Sequence, residues 1–276
     1  MEILTIIKGF VIGGSMLIPG VSGGTMAMIL KLYKRLITSI SSFMKHKKES
    51  ILFLLQFCIG AGAAWLILSG PMVALNGAFP KQMACFVVGA IVGGIPVIYR
   101  ETKVTRFSIW SVVFLAIGLV LVFGLAALPK NGFDNAGAGL GGIMIQFLAG
   151  LLGALALILP GISFSSMLYM MGVYDYIWGA VGNRDVIALL PFALGMIIGI
   201  LFLTKFLDLA MTRFPHATYM IILGFVIGSI WDILKEMPGA PVGAEIPACI
   251  LLMVLGFLII YILSRTEDRY EKNNSK

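Results

Sequence analysis

Two short stretches hold most of the residues that could do chemistry: Pro19-Gly20-Val21-Ser22-Gly23-Gly24-Thr25 and Pro160-Gly161-Ile162-Ser163-Phe164-Ser165-Ser166. Proline removes a backbone donor and glycine loosens a helix, so an apolar helix is expected to stop at each stretch and restart. A restarting helix presents unsatisfied N–H groups and the positive end of its dipole. The hydroxyls of Ser22, Thr25, Ser163, Ser165 and Ser166 add donors, and Gly20, Gly23 and Gly24 let backbone approach a ligand closely. This is an anion cradle, most naturally for a phosphate. The plainer alternative is that both stretches only pack helices. Two further pairs, Arg100-Glu101 and Lys235-Glu236, could each capture an anionic headgroup, with the glutamate tuning the cation or carrying a proton. They read equally as helix-end charges reaching for the interface. Asp232, one turn before Glu236, and Asp208 are the acids well inside apolar runs.

Enzymatic readings fit poorly. Gly20-Val21-Ser22-Gly23 has the form used by intramembrane serine proteases, which need a histidine base, but His46 lies in a lysine-rich loop and His216 beside Pro215 at a span start. Pro160-Gly161-Ile162-Ser163-x-Ser165 is similar to the Pro-Gly-x-Ser-Arg-Ser tip of undecaprenyl-pyrophosphate phosphatases, yet Phe164 occupies the arginine position. The acidic pair those enzymes carry near their first hairpin is also missing, Glu2 being the lone acid before Glu49. A nucleotide P-loop would need Gly-Lys-Ser/Thr. Cys58, Cys85 and Cys249 are scattered in apolar segments without metal or disulfide spacing. No catalytic residue, metal or cofactor is expected.

The elements that must position these residues follow from composition. Of 276 residues, 59% are hydrophobic and 12% charged, against about 25% charged in a soluble domain. With a mean hydropathy of +1.02, the chain is an integral membrane protein. Its apolar stretches run about 16 to 22 residues, too long for barrel strands, so the spans are helices. The basic excess of 20 Lys+Arg over 13 Asp+Glu is expected in loops facing anionic lipid, not on nucleic acid. Lys8 before the apolar run 9–18 suggests a signal peptide, but no small-residue cleavage site follows and the run recurs, so it is kept in the mature chain.

Shifting the sequence by 141 residues lays Ile18-Pro19-Gly20-Val21-Ser22 on Leu159-Pro160-Gly161-Ile162-Ser163, Met26 on Met167 and Tyr33 on Tyr174. A shift of 135 lays Phe79-Pro80 on Phe214-Pro215, Gly89 on Gly224, Gly93 on Gly228 and Arg100-Glu101 on Lys235-Glu236. The chain reads as an internal duplication. The first repeat covers 1–130, with a re-entrant hairpin over 5–42 and spans at 51–70, 82–99 and 107–128. A linker occupies 131–139. The second repeat covers 140–276, with a hairpin over 140–180 and spans at 187–205, 218–234 and 247–264. Irregular backbone at membrane depth requires surrounding protein or a water-filled cavity, which suits a hairpin tip. Sixteen of the 20 basic residues then fall on one side, which the positive-inside rule makes cytoplasmic, with both termini there. An odd number of crossings per half makes the repeats inverted. The spacings Gly89-x3-Gly93, Gly195-x3-Gly199 and Gly224-x3-Gly228 are expected to pack helices closely.

Lys8-Gly9-Phe10 followed by Ile18-Pro19-Gly20-Val21-Ser22-Gly23-Gly24-Thr25-Met26-Ala27 resembles the opening signature of the bacterial polyprenyl-phosphate transporters, a family formerly described as a domain of unknown function. The resemblance extends through the second Pro-Gly-Ile-Ser and the Arg100-Glu101 region. It implies a flippase that returns undecaprenyl phosphate from the outer to the inner leaflet of the bacterial cytoplasmic membrane for cell-wall synthesis. The implied partners are that lipid and the bilayer, and a homo-oligomer stays open. The residues alone give an anionic, phosphate-bearing substrate and leave a lipid phosphatase or an anion channel as alternatives.

Overall fold

The computed structural model describes residues 3–18, 21–102, 108–127 and 139–274, without the side chains at 126, 166 and 266–274. Pro19, Gly20, Lys103, Arg106 and the linker residues 131–138 therefore lie outside the described residues. Within them the chain is all-helical: α1 (Ile3–Ser15), α2 (Gly23–Ile29), α3 (Tyr33–Ser41), α4 (Lys47–Ala78), α5 (Pro80–Glu101), α6 (Ile109–Ala126), α7 (Gly139–Ile158), α8 (Phe164–Met170), α9 (Tyr174–Gly182), α10 (Val186–Arg213), α11 (Pro215–Glu236) and α12 (Glu245–Asn274).

Six helices are long and apolar enough to cross a membrane: α4, α5, α7, α10, α11 and the 245–265 part of α12. The expected span 107–128 holds the apolar helix α6, which starts at Ile109, where Ser108 caps it by accepting the Trp110 N–H at 3.3 Å, and has 18 residues, about 27 Å at 1.5 Å per residue. One assignment differs from the sequence reading: α7, expected as one arm of a hairpin, has 20 residues and is long enough to cross by itself, about 30 Å at 1.5 Å per residue. Helices α4 and α10 also outrun the expected 51–70 and 187–205, with 32 and 28 residues.

In each expected hairpin the part that follows the Pro-Gly stretch is two helices, α2 and α3 in the first and α8 and α9 in the second. Helix α2 ends where Lys31 takes φ 55°, with Leu32 N–H donating to Ala27 O at 2.8 Å and Lys31 N–H to Met28 O at 3.1 Å. Helix α8 ends in the same way: Gly172 has φ 67°, Val173 N–H donates to Leu168 O at 3.1 Å and Gly172 N–H to Tyr169 O at 3.1 Å. This doubled pattern of hydrogen bonds around a left-handed residue is the Schellman stop. Gly172 announces it in the sequence, while Lys31 conceals it, since a side chain in that conformation costs about 1–2 kcal/mol.

Glycines set the helix pairing. Added Cβ atoms at Gly89 and Gly93 of α5 would run into Met253 and Phe257 of α12; those at Gly195 and Gly199 of α10 would meet Phe147, Leu151 and Ala154 of α7. Gly224 and Gly228 of α11 lie against Leu115, Gly118 and Val122 of α6, and Gly9 and Gly13 of α1 against Phe57 and Ala61 of α4. The expected glycine packing therefore holds, and contacts in each pair advance together, so partners run in the same direction. Polar pins at matching ends agree: Lys81 Nζ meets Glu245 Oε2 at 2.8 Å where α5 and α12 begin, and Ser111 Oγ meets His216 Nε2 at 2.8 Å where α6 and α11 begin. Helices α5 and α11 form the centre and are mostly buried, whereas α4, α10 and α12 leave most of their apolar surface uncovered. One-residue joints precede both central helices, with φ, ψ of −135°, 53° at Phe79 and −132°, 58° at Phe214.

Gly89→Leu should force α5 from α12, whereas Gly62→Leu on α4, where an added Cβ meets nothing, should be silent. Overpacking costs about 1–3 kcal/mol or more, so the first variant is expected to lose several degrees of thermal stability in detergent and the second none. Equal melting temperatures would refute the close pairing.

Candidate functional site

Ser22 is the N-cap of α2, with extended backbone (φ −86°, ψ 128°) and a carbonyl that accepts the Met26 N–H at 3.2 Å. A serine here ordinarily turns its hydroxyl onto the first helical turn. Ser22 does not: its side chain makes no capping bond, and Oγ is buried without a partner among the described residues, in a residue only 8% exposed. Ser163 is its counterpart, half-buried, with its carbonyl accepting the Met167 N–H at 3.1 Å. Ser165 is exposed, and the Ser166 side chain lies outside the described residues. No histidine bonds Ser22, His216 being engaged with Ser111.

The two tips touch. Gly161 N–H donates to Thr25 Oγ1 at 3.0 Å, a buried bond across 136 residues of sequence. Thr25 is 1% exposed, so its hydroxyl oxygen fastens the tips together. A Cβ at Gly24 would come within 3.0 Å of Ile158 O and 3.2 Å of Pro160 N, which leaves room only for glycine unless the second tip retreats. Gly161 has φ +82°, and a Cβ there would run into the Phe225 carbonyl of α11. Gly23, half-buried, faces Met16. Both restarted helices have only seven residues. Their dipoles are correspondingly short, so any anion-holding capacity rests on hydroxyls and the first N–H groups of α2, which have no partner within their own helix.

The basic pairs stand apart. Arg100 is exposed and Glu101 half-buried at the end of α5, while Lys235 and Glu236 are exposed at the end of α11. Ile29 of α2 packs at Gly94, six residues before Arg100; Phe225 meets the second tip ten residues before Lys235. Along a helix these separations are about 9 and 15 Å.

Two supports escaped the sequence reading. Lys8 Nζ donates to Leu30 O at 3.1 Å and so holds the stop of α2 from α1. Asp208 of α10 receives Thr38 Oγ1 at 2.9 Å on one carboxylate oxygen and Ser41 Oγ at 2.6 Å on the other, tying α3 down. Asp208 was conspicuous as an acid in an apolar helix, but its partners lie 170 and 167 residues away. The Tyr33 side chain, 3% exposed, also has an unpartnered buried hydroxyl. Near the other end of α3, a polar pocket of about 200 Å3 includes Ser42, His46, Ser50 and Arg35, whose guanidinium lies 4.5 Å over the Phe53 ring.

The undecaprenyl phosphate translocase-like family model matches residues 12–238. A polyprenyl-phosphate transporter of Staphylococcus aureus is 30% identical over 279 residues, covering 95% of this chain and 96% of that protein. A polyprenyl-phosphate transporter of Vibrio cholerae is 26% identical over 240 residues, covering 82% and 75% respectively. No solved structure matches the chain.

The tip-to-tip bond yields a direct expectation. Thr25→Val keeps the shape but strands the buried Gly161 N–H, at a cost of about 1–3 kcal/mol, while Thr25→Ser restores an acceptor. Thermal unfolding in detergent should rank wild type and Thr25→Ser together, well above Thr25→Val. Wild-type stability in Thr25→Val would mean that the bond contributes nothing.

Proposed function

The chain belongs to the undecaprenyl phosphate translocase-like family, and we propose from that premise that it carries undecaprenyl phosphate from the outer to the inner leaflet of the bacterial cytoplasmic membrane. The buried, partnerless Ser22 hydroxyl carries this reading. A buried polar group without a partner costs stability, and such groups cluster where a ligand supplies what the protein omits. The ligand that suits a hydroxyl beside glycine N–H groups is an anionic oxygen. The phosphate head is held by Ser22, Gly23 and Gly24 at the first tip and by Ser163, with Ser165 and Ser166, at the second. Thr25 keeps the tips in register.

A phosphate monoester bears about −1.5 to −2 charges at neutral pH and cannot enter hydrocarbon unaided. The isoprenoid tail can, so the protein shields only the head during crossing. Arg100-Glu101 and Lys235-Glu236 receive the head at opposite faces, and rocking of one repeat against the other switches access. Inverted repeats are supported by the pairing of helices: α5 runs with α12, α6 with α11, α1 with α4 and α7 with α10. If successive central spans reverse direction, α4 and α10 must run oppositely, as do α5 and α11. The matched stops at Lys31 and Gly172 and the matched joints at Phe79 and Phe214 support the duplication itself. The concentration of basic residues at 31–50, 100–106, 205–217 and 265–276 supports a cytoplasmic location for both termini.

Ser22→Ala separates ligand binding from folding. Removing an unpartnered buried hydroxyl should leave thermal stability equal or slightly higher, while losing a hydrogen bond to a charged group should weaken polyprenyl-phosphate binding about tenfold or more. Unchanged affinity with unchanged stability would return the tips to packing alone.

A further inference from the structure

We infer that the cavity beside the first tip seats the first two isoprene units of the transported lipid, so that the protein reads the start of the tail as well as the head. This rests on the phosphate site proposed at Ser22. The cavity measures about 250 Å3 and is lined by Gly23, Gly24 and Ala27 of α2, Tyr33 of α3, Ile158 of α7 and Ile200 of α10, with further apolar side chains from α1, α3 and α4. Gly23 and Gly24 directly follow Ser22, so the same backbone that borders the proposed head site also forms a wall of this cavity. An apolar cavity of about 150 Å3 accepts benzene, and by that scale this one takes about ten carbons.

Its walls suit a lipid that enters from the side. Ala27 and Tyr33 are 2% and 3% exposed and form the inner wall, whereas Phe57 and Ile200, on α4 and α10, are half-buried. Those two helices leave most of their apolar surface uncovered. Between lipid and an apolar protein surface there is no hydrophobic driving force, so an occupant gains only by filling space that bilayer chains pack badly. A short, branched, unsaturated unit held at one end by its phosphate meets that requirement.

The choice of occupant rests on the wall shared with the proposed head site. Gly23 and Gly24 line the cavity directly after Ser22, and the remaining walls are apolar. The acyl chain of a bulk phospholipid would fill the space without bringing a phosphate monoester to Ser22. An allylic phosphate ester has both parts: hydrocarbon for the walls, and phosphate oxygens at its polar end for Ser22.

The test is a length series of phosphates competing for the purified full chain: inorganic phosphate, dimethylallyl, geranyl and farnesyl phosphate, with decyl phosphate as the straight-chain control. Affinity should rise about tenfold from dimethylallyl to geranyl phosphate, as the void fills, and change little from geranyl to farnesyl. Decyl phosphate should bind less tightly than geranyl phosphate. Ala27→Leu on the inner wall and Ile200→Trp on the half-buried side should each erase the geranyl step while leaving the affinity for inorganic phosphate within about twofold of wild type. The wild-type series alone decides the matter if either variant fails to fold. Equal affinity of the dimethylallyl and geranyl esters, both still weakened by Ser22→Ala, would overturn the tail site and keep the head site. A geranyl step that survives in both variants would also overturn it. Indifference of every ester to Ser22→Ala, with the geranyl step intact, would remove the head site and leave the cavity.

Discussion

Backbone that leaves the helix in an apolar chain must find its hydrogen-bond partners in protein, and here two broken segments find theirs in each other. Gly161 N–H and Thr25 Oγ1 make that contact, and much of the remaining architecture serves to permit it. Gly24 lacks the side chain that would push the tips apart; Gly161 takes a left-handed turn against the α11 backbone. Lys8 closes the end of α2 from below, and Asp208 fixes the following helix. Around this junction the long helices pair through glycine faces, so that α5 and α11 can be central without a large core of bulky side chains.

Against such close satisfaction, the two orphaned hydroxyls stand out. Ser22 and Tyr33 are each more than nine-tenths buried and lack partners, although neighbouring polar groups are served. Stability alone would favour alanine and phenylalanine at these positions. At Ser22 that cost fits the phosphate proposed for the tips.

The repeat was legible because Pro-Gly-x-Ser, Phe-Pro and basic-Glu pairs are rare in apolar sequence, where shared leucine means little. Glycine spacing likewise gave the packing faces, since only a residue without a side chain lets two backbones meet. What stayed hidden depends on long-range partners or on disguised local geometry. Nothing about Lys31 signals a left-handed helix stop, and without the match to Gly172 the two-part returning segments could not be read. The partners of Asp208 and of Lys81 lie on distant helices, and sequence spacing says nothing about them.

The central claim is that the phosphate sits between the tips. A structure of the full chain in lipid nanodiscs with undecaprenyl phosphate bound tests it most directly. The account predicts a phosphate oxygen within hydrogen-bonding distance of Ser22 Oγ, with the tips still joined through Thr25 and Gly161. A phosphate resolved at Arg100 or Lys235 in every class of particles, with Ser22 Oγ still unpartnered, would contradict it.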